Sequence, residues 1–294
     1  MVTPPFGRLL TAMVTPFATD GSVDLPAAAE LARHLVDDLG HDGLVINGTT
    51  GEAPTTSDGE KADLVHAVVK AVGDRAAVLA GVGTFNTEHT LELAADAAKL
   101  GVDGLLVVTP YYSKPPQAGL LEHFRRVADA TEVPVMLYDI PGRAGTAIST
   151  ETMLRLAEHP RIVAVKDAKG DLAASARVMA ECDLAYYSGD DAMTLPLLSI
   201  GAVGVVGTST HFSGRGTKAM IEAYLAGHVG EATQLHRRLL PIFTGIFATQ
   251  GCILVKAGLA LQGRPVGGVR SPLVVATPAE VEALRTALAA AELG

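Results

Sequence analysis

The sequence predicts a parallel α/β fold closed into an eight-stranded barrel, a (β/α)8 or TIM barrel, with a helical extension at its C-terminal end. Three observations carry that expectation. Short apolar runs recur at 9–14, 43–46, 76–82, 104–108, 133–138, 162–166, 184–188 and 201–206. Stretches of helical periodicity separate them, and eight strand–helix alternations are the number that closes a barrel. After about residue 227 the strand-like runs stop and the pattern stays helical. We therefore place the barrel at 1–226 and the extension at 227–294. A doubly wound open sheet is the alternative that the same alternation permits.

The runs are continuously apolar rather than alternating, as in strands covered on both faces. Ser57 with Glu60 three residues later forms a reciprocal helix cap, ahead of an apolar stripe of Leu64, Val65, Val68, Val69 and Val72. Such helices cover the outside of a sheet. The run at 133–138 ends in Tyr138, and a Pro141-Gly142 turn then carries Arg143. The next run ends in Lys166, with Gly170 and Asp171 breaking the chain before a new helix. Near the end, Thr277-Pro278-Ala279-Glu280 is a second capping box with proline at the first helical position, followed by Val281, Leu284 and Leu288 on one face. Gly230 and its neighbours read as a short turn rather than a linker, so the extension is expected to rest on the barrel or on another subunit.

Composition narrows the function. A chain of 294 residues that is 48% hydrophobic supports one large core with an addition. A formal charge of -9 leaves no basic footprint for nucleic acid or an anionic membrane surface. The opening segment is interrupted by Pro4, Pro5 and Pro16 and lacks a signal-peptide pattern, so a cytoplasmic location is expected. Cys182 and Cys252 stand far apart without a CxxC partner and are read as buried free thiols. The histidines show no metal-ligand spacing such as HExxH, and neither GxGxxG after a strand nor GxxxxGK[ST] occurs. No metal, nucleotide or other cofactor is expected.

Barrel chemistry sits at the C-terminal strand ends. An amine delivered there by a buried strand loses hydration, which lowers its pKa from about 10.4 towards the ~7–8 useful to a nucleophile. Taken alone, the segment allows Lys166 to lie just past the strand in water, like Lys169. Tyr138 holds the same place in the preceding strand, and neighbouring strands lie about 4.8 Å apart, so a phenol and an amine reach one substrate. In the Gly48 to Gly51 loop, the amides and hydroxyls of Thr49 and Thr50 suit an anion, a plain turn being the alternative. Tyr111 and Tyr112 stand between stiffening prolines, Gly189 permits close backbone approach, and Asp190 and Asp191 suit capping of the following helix. A lysine, tyrosines, an arginine and a threonine pair fit imine chemistry on a small carboxylate-bearing carbonyl compound.

Gly48-Thr49-Thr50-Gly51-Glu52, Pro110-Tyr111-Tyr112, Tyr138-Asp139-Ile140-Pro141-Gly142-Arg143, Val165-Lys166-Asp167 and Ser188-Gly189-Asp190-Asp191 follow one another in an order and spacing that resembles the dihydrodipicolinate synthase and N-acetylneuraminate lyase superfamily. The resemblance covers essentially the whole chain, including Gly267-Gly268-Val269-Arg270. It implies the barrel with its helical extension, no cofactor, a Schiff base between Lys166 and pyruvate, and Tyr138 as proton shuttle. It further implies that Thr49 and Thr50 hold the pyruvate carboxylate, that Gly189 and the carbonyl of Val206 line the site, and that Arg143 binds the carboxylate of an aldehyde substrate. Tyr112 matches a residue that crosses a tight dimer interface to complete a relay with Thr50 and Tyr138.

Arg143 and Tyr112 point to the synthase branch, which condenses pyruvate with L-aspartate 4-semialdehyde to 4-hydroxy-tetrahydrodipicolinate in lysine and diaminopimelate biosynthesis. The implied partners are those two small molecules and further copies of the chain, as a homodimer or homotetramer. The segment 204–212 departs from the commoner synthase wording. Related pyruvate aldolases, sugar-acid lyases and keto-acid dehydratases stay open as alternatives, as does a barrel that only senses a small acid. Family members that bind lysine do so in segments matching 53–61 and 84–89. Ala53 and Pro54 offer no side-chain acceptor there and Lys61 is a like charge, so weak or no inhibition by lysine is expected.

Overall fold

The computed structural model describes residues 2–293. Its strands are β1 (Leu9–Ala12), β2 (Gly43–Ile46), β3 (Ala77–Gly81), β4 (Gly104–Val108), β5 (Val135–Asp139), β6 (Ile162–Asp167), β7 (Ala185–Ser188) and β8 (Gly204–Gly207). They run parallel in sequence order around a closed barrel. The ring is completed where Leu10 of β1 pairs with Val206 of β8, which rules out the open sheet. The helices between strands are α1 (Leu25–Arg33), α2 (Asp58–Val72), α3 (Thr87–Lys99), α4 (Gln117–Asp129), the short α5 (Pro141–Ala144), α6 (Thr150–Ala157), α7 (Leu172–Glu181) and the short α8 (Thr194–Leu198). After β8 come α9 (Thr210–Leu225), α10 (Val229–Gly245), α11 (Gly251–Leu261) and α12 (Pro278–Ala290).

Continuous apolar strands are what this closure requires, because each residue faces either the barrel interior or the helix layer. Leu10, Val45, Leu79, Leu106, Met136 and Val206 fill the interior. Residues of the opposite parity, such as Leu44, Val78, Leu105 and Leu137, join the larger core beneath the helices. The Ser57–Glu60 and Thr277–Glu280 caps both form reciprocally, with Pro278 in the first turn of α12.

Two local expectations differ. The turn before α10 is at Gly227, with φ +85°, and Gly230 lies inside the helix. Cys252 is buried, but Cys182 at the end of α7 is only half-buried and its thiol donates to the Val178 carbonyl. The helical extension returns over the barrel. Helix α10 packs on α9 and α12, and α11 starts so close to the strand ends that a Cβ added at Gly251 would meet the Thr208 side chain at 3.2 Å. Among the described residues, no helix is long and apolar enough to cross a membrane.

Candidate active site

The register of β5, β6 and β7 sets the site. Tyr138 pairs with Lys166, and Lys166 pairs with Tyr187, so three long polar side chains share one level of the barrel. Tyr187 turns its hydroxyl away towards the N-terminal end, donating to the Gly7 carbonyl at 2.8 Å. Tyr138 and Lys166 remain at the C-terminal mouth. There a cavity of about 210 Å³ is lined by Thr49, Thr50, Tyr138, Arg143, Lys166 and Gly189, with Thr208 and Gln250 closing it. That space suits a substrate of a few carbon atoms, being smaller than the ~300 Å³ at which drug-sized pockets begin.

Lys166 is 4% exposed, and its Nζ lies 4.4 Å from the centre of the Tyr138 ring. Burial lowers the amine to about 8, opposed by the charge of Asp191 and assisted by that of Arg143. The water-exposed alternative for Lys166 is therefore excluded. Lys169 is not in open water either: its Nζ is 3.7 Å from the buried Asp139 carboxylate. Desolvation pushes Asp139 up to about 6. Burial also pushes the Tyr138 phenol up to about 12, against the pull of Arg143 and of a hydrogen bond with Thr49. At neutral pH the pair thus offers a protonated phenol beside an amine that readily sheds its proton.

The threonines divide their contacts. Thr49 is the threonine near enough to the Tyr138 phenol to favour its ionised form, whereas the more buried Thr50 has its hydroxyl 3.3 Å from that of Thr208. Gly189 is where the backbone comes closest to the lysine stem: an added Cβ would meet Lys166 Cγ at 3.1 Å and the Asp167 carbonyl at 3.1 Å. Val206 is wholly buried in the barrel interior, beneath the cavity, and Thr208 two residues on lines the cavity. Arg143, on α5, donates to Gln250 Oε1 at 2.7 Å. Tyr111 sets its ring edge-on to Phe85, with centroids 5.5 Å apart. Tyr112 is 92% exposed with φ 70°, and within a single chain it does not reach the cavity.

The aspartate pair corrects an expectation. Asp190 caps the next turn through the Ala192 N–H at 3.0 Å. Asp191 instead is buried and accepts from the Ser209 hydroxyl at 2.6 Å and the Thr208 N–H at 3.1 Å, tying the turn after β8 to the floor of the site. Sequence reasoning missed this role, and it missed Thr208 and Gln250 as lining residues, because none of the three belongs to a local pattern. Among the described residues, no group of His, Cys, Asp and Glu side chains is arranged to hold a metal ion.

Closed barrel and polar mouth together define the class, a (β/α)8 barrel that holds a desolvated amine beside a phenol at its C-terminal mouth. Residues 5–291 match the model of the dihydrodipicolinate synthetase family, and the chain belongs to that family. It is 69% identical over 287 residues to a 4-hydroxy-tetrahydrodipicolinate synthase of Acidothermus cellulolyticus, covering 98% of this chain and 93% of the relative. A 4-hydroxy-tetrahydrodipicolinate synthase of Cutibacterium acnes is 62% identical, covering 96% of each chain. Among solved structures, the lysine-bound enzyme of this family from Cyanidioschyzon merolae superposes with a TM-score of 0.97 at 44% identity, covering 99% of this chain and 100% of that one.

Proposed function

We infer that the protein is a lyase of lysine and diaminopimelate biosynthesis that condenses pyruvate with L-aspartate 4-semialdehyde to 4-hydroxy-tetrahydrodipicolinate. The observation that carries this reading is the buried Lys166 amine held against Tyr138 by strand register, in a chain so similar to synthases of that reaction. Neutral Lys166 attacks the pyruvate ketone, whose carboxylate rests in the Thr49–Thr50 loop. Tyr138 gives a proton to the departing hydroxyl, water leaves and an imine forms. Its cationic nitrogen acidifies the methyl group, and loss of a proton gives an enamine whose carbon attacks the aldehyde. Arg143 holds the second carboxylate by a two-pronged contact. The amine of the second substrate then displaces Lys166 as the ring closes.

Gly189 and the Val206 carbonyl complete the floor in this reading. Residues 1–226 supply the chemistry, and 227–294 contribute Gln250 behind Arg143. The exposure of Tyr112 supports its insertion into a neighbouring copy, so a homodimer or homotetramer acting in the cytoplasm is the assembly we propose. A coupled assay with both substrates tests the reaction. Consumption of pyruvate only when the semialdehyde is present is expected, and pyruvate release from a sugar acid instead would overturn it.

The roles assigned have measurable consequences. Arg143→Ala keeps borohydride trapping of pyruvate on Lys166 but lowers kcat/KM for the semialdehyde by about 10²-fold, the worth of a lost charge-assisted contact. Equal loss of trapping would mean that Arg143 supports the pyruvate site. Tyr112→Phe reduces turnover by about tenfold and Tyr111→Phe by less, because only Tyr112 stands at the relay position; steady-state rates of the two variants decide the order. Lysine inhibits weakly or not at all. The acidic groups near its expected pocket are already engaged, Asp58 by His89 at 2.9 Å and Glu88 by Arg126. Cooperative inhibition in a lysine titration at saturating pyruvate would contradict this.

A further inference from the structure

A buried ion pair outside the catalytic cavity ties the helical extension to the Thr49–Thr50 loop. Glu52 ends that loop in a left-handed backbone conformation, with φ 55° and ψ 33°. Such a conformation is unfavourable for a residue with a side chain, and glycine would adopt it freely. The Glu52 carboxylate is wholly buried, and its Oε1 lies 2.7 Å from Nζ of Lys256, itself 3% exposed. Its Oε2 accepts the Arg270 N–H at 3.0 Å. Lys256 donates to the Gly268 carbonyl at 2.6 Å and sits 4.1 Å from the centre of the Phe17 ring. The chain beyond Lys256 is pressed against the same phenylalanine: the Phe17 N–H donates to the Val266 carbonyl at 3.0 Å, and at Gly267, φ +76°, any side chain would run into the Phe17 carbonyl.

Helix α11 links this cluster to the other half of the site. Gln250, which caps α11, holds Arg143, and Lys256 lies six residues further on, about 9 Å along the helix at 1.5 Å per residue. One rigid element thus carries a contact to each carboxylate-binding region. A buried ion pair is a poor source of stability compared with apolar packing, but it fixes position, since each charge tolerates few alternative placements once out of water.

We propose that Glu52 and Lys256 are positioning residues, whose ion pair braces the Thr49–Thr50 loop against α11 and so sets the affinity for the carboxylate of the keto acid. The proposal rests on the reading that this loop holds pyruvate. The double variant Glu52→Gln/Lys256→Met removes both charges at nearly constant volume and leaves no unpaired ion in the interior. Its KM for pyruvate is expected to rise about tenfold, with KM for the semialdehyde within about twofold of wild type and borohydride trapping at saturating pyruvate still on Lys166. A fall in kcat with unchanged pyruvate KM would show a merely structural pair and overturn the proposal.

Glu52→Asp keeps the charge and shortens its reach by one methylene, so it tests the same point if the double variant does not fold. A raised pyruvate KM at wild-type melting temperature supports the brace, and an unchanged KM overturns it. Absence of any pyruvate adduct on wild-type Lys166 overturns the functional reading and this proposal together. An adduct in wild type with unaltered KM in both variants overturns the proposal alone.

Discussion

Lys166→Met is expected to abolish borohydride trapping of pyruvate and to lower turnover by at least about 10⁴-fold, the scale of losing a nucleophile that acts as a unit with its proton partner. The fold should persist, because methionine fills the space of the lysine stem and relieves the interior of a desolvated amine. In wild type the trapping rate at subsaturating pyruvate should depend on pH in a defined direction. The proposed nucleophile is the neutral Lys166 amine, and burial lowers its pKa to about 8. Below that value the neutral fraction rises about tenfold per pH unit, and above it the rate levels off. An ordinary surface lysine would go on gaining to about pH 10. Peptide mapping of the reduced adduct to another lysine, or a profile still rising at that pH, would remove Lys166 from its role.

Tyr138→Phe is expected to lower kcat by about 10²- to 10³-fold while leaving pyruvate able to reach Lys166, only more slowly. The ring is part of the barrel interior and stays, so thermal stability should change little. What is lost is a phenol that burial holds protonated at neutral pH and that lies beside the lysine. In the proposed mechanism it serves first as a donor to the departing hydroxyl, and the nearby Arg143 charge and Thr49 side chain, which both favour its ionised form, stabilise the charge on its oxygen afterwards. Single-turnover trapping and steady-state turnover should fall together. A variant within tenfold of wild type in both would place the proton transfer on another group.

The alternation of strands and helices, the two capping boxes and the strand-end positions of Tyr138 and Lys166 are all legible in the sequence. Each depends on contiguous residues: a continuous apolar run, a Ser or Thr three residues ahead of a Glu, a polar group where the run stops. The family resemblance adds particular roles for Arg143, Thr49, Thr50 and Tyr112, which their own segments mark only as polar groups in strand-end loops, because it compares spacings that no single segment carries. The expectation of a buried thiol fails at Cys182, since nothing in its own segment reveals that α7 ends near the surface.

The rest requires the chain to return upon itself. Closure of β8 onto β1 is a matter of strand number and shear, and the run pattern alone leaves an open sheet standing. Asp191 reads as another helix cap, yet the barrel brings it to the turn after β8, where buried amide groups need an acceptor. Gln250 meets Arg143 across 107 residues, and Lys256 meets Glu52 only because α11 folds back over the mouth. The lowered amine of Lys166 belongs with these. Local periodicity is enough to say which strand carries an amine and at which end. Whether that amine lies dry inside the mouth or past the strand in water depends on the loops and helices packed over it, and these come from distant parts of the chain.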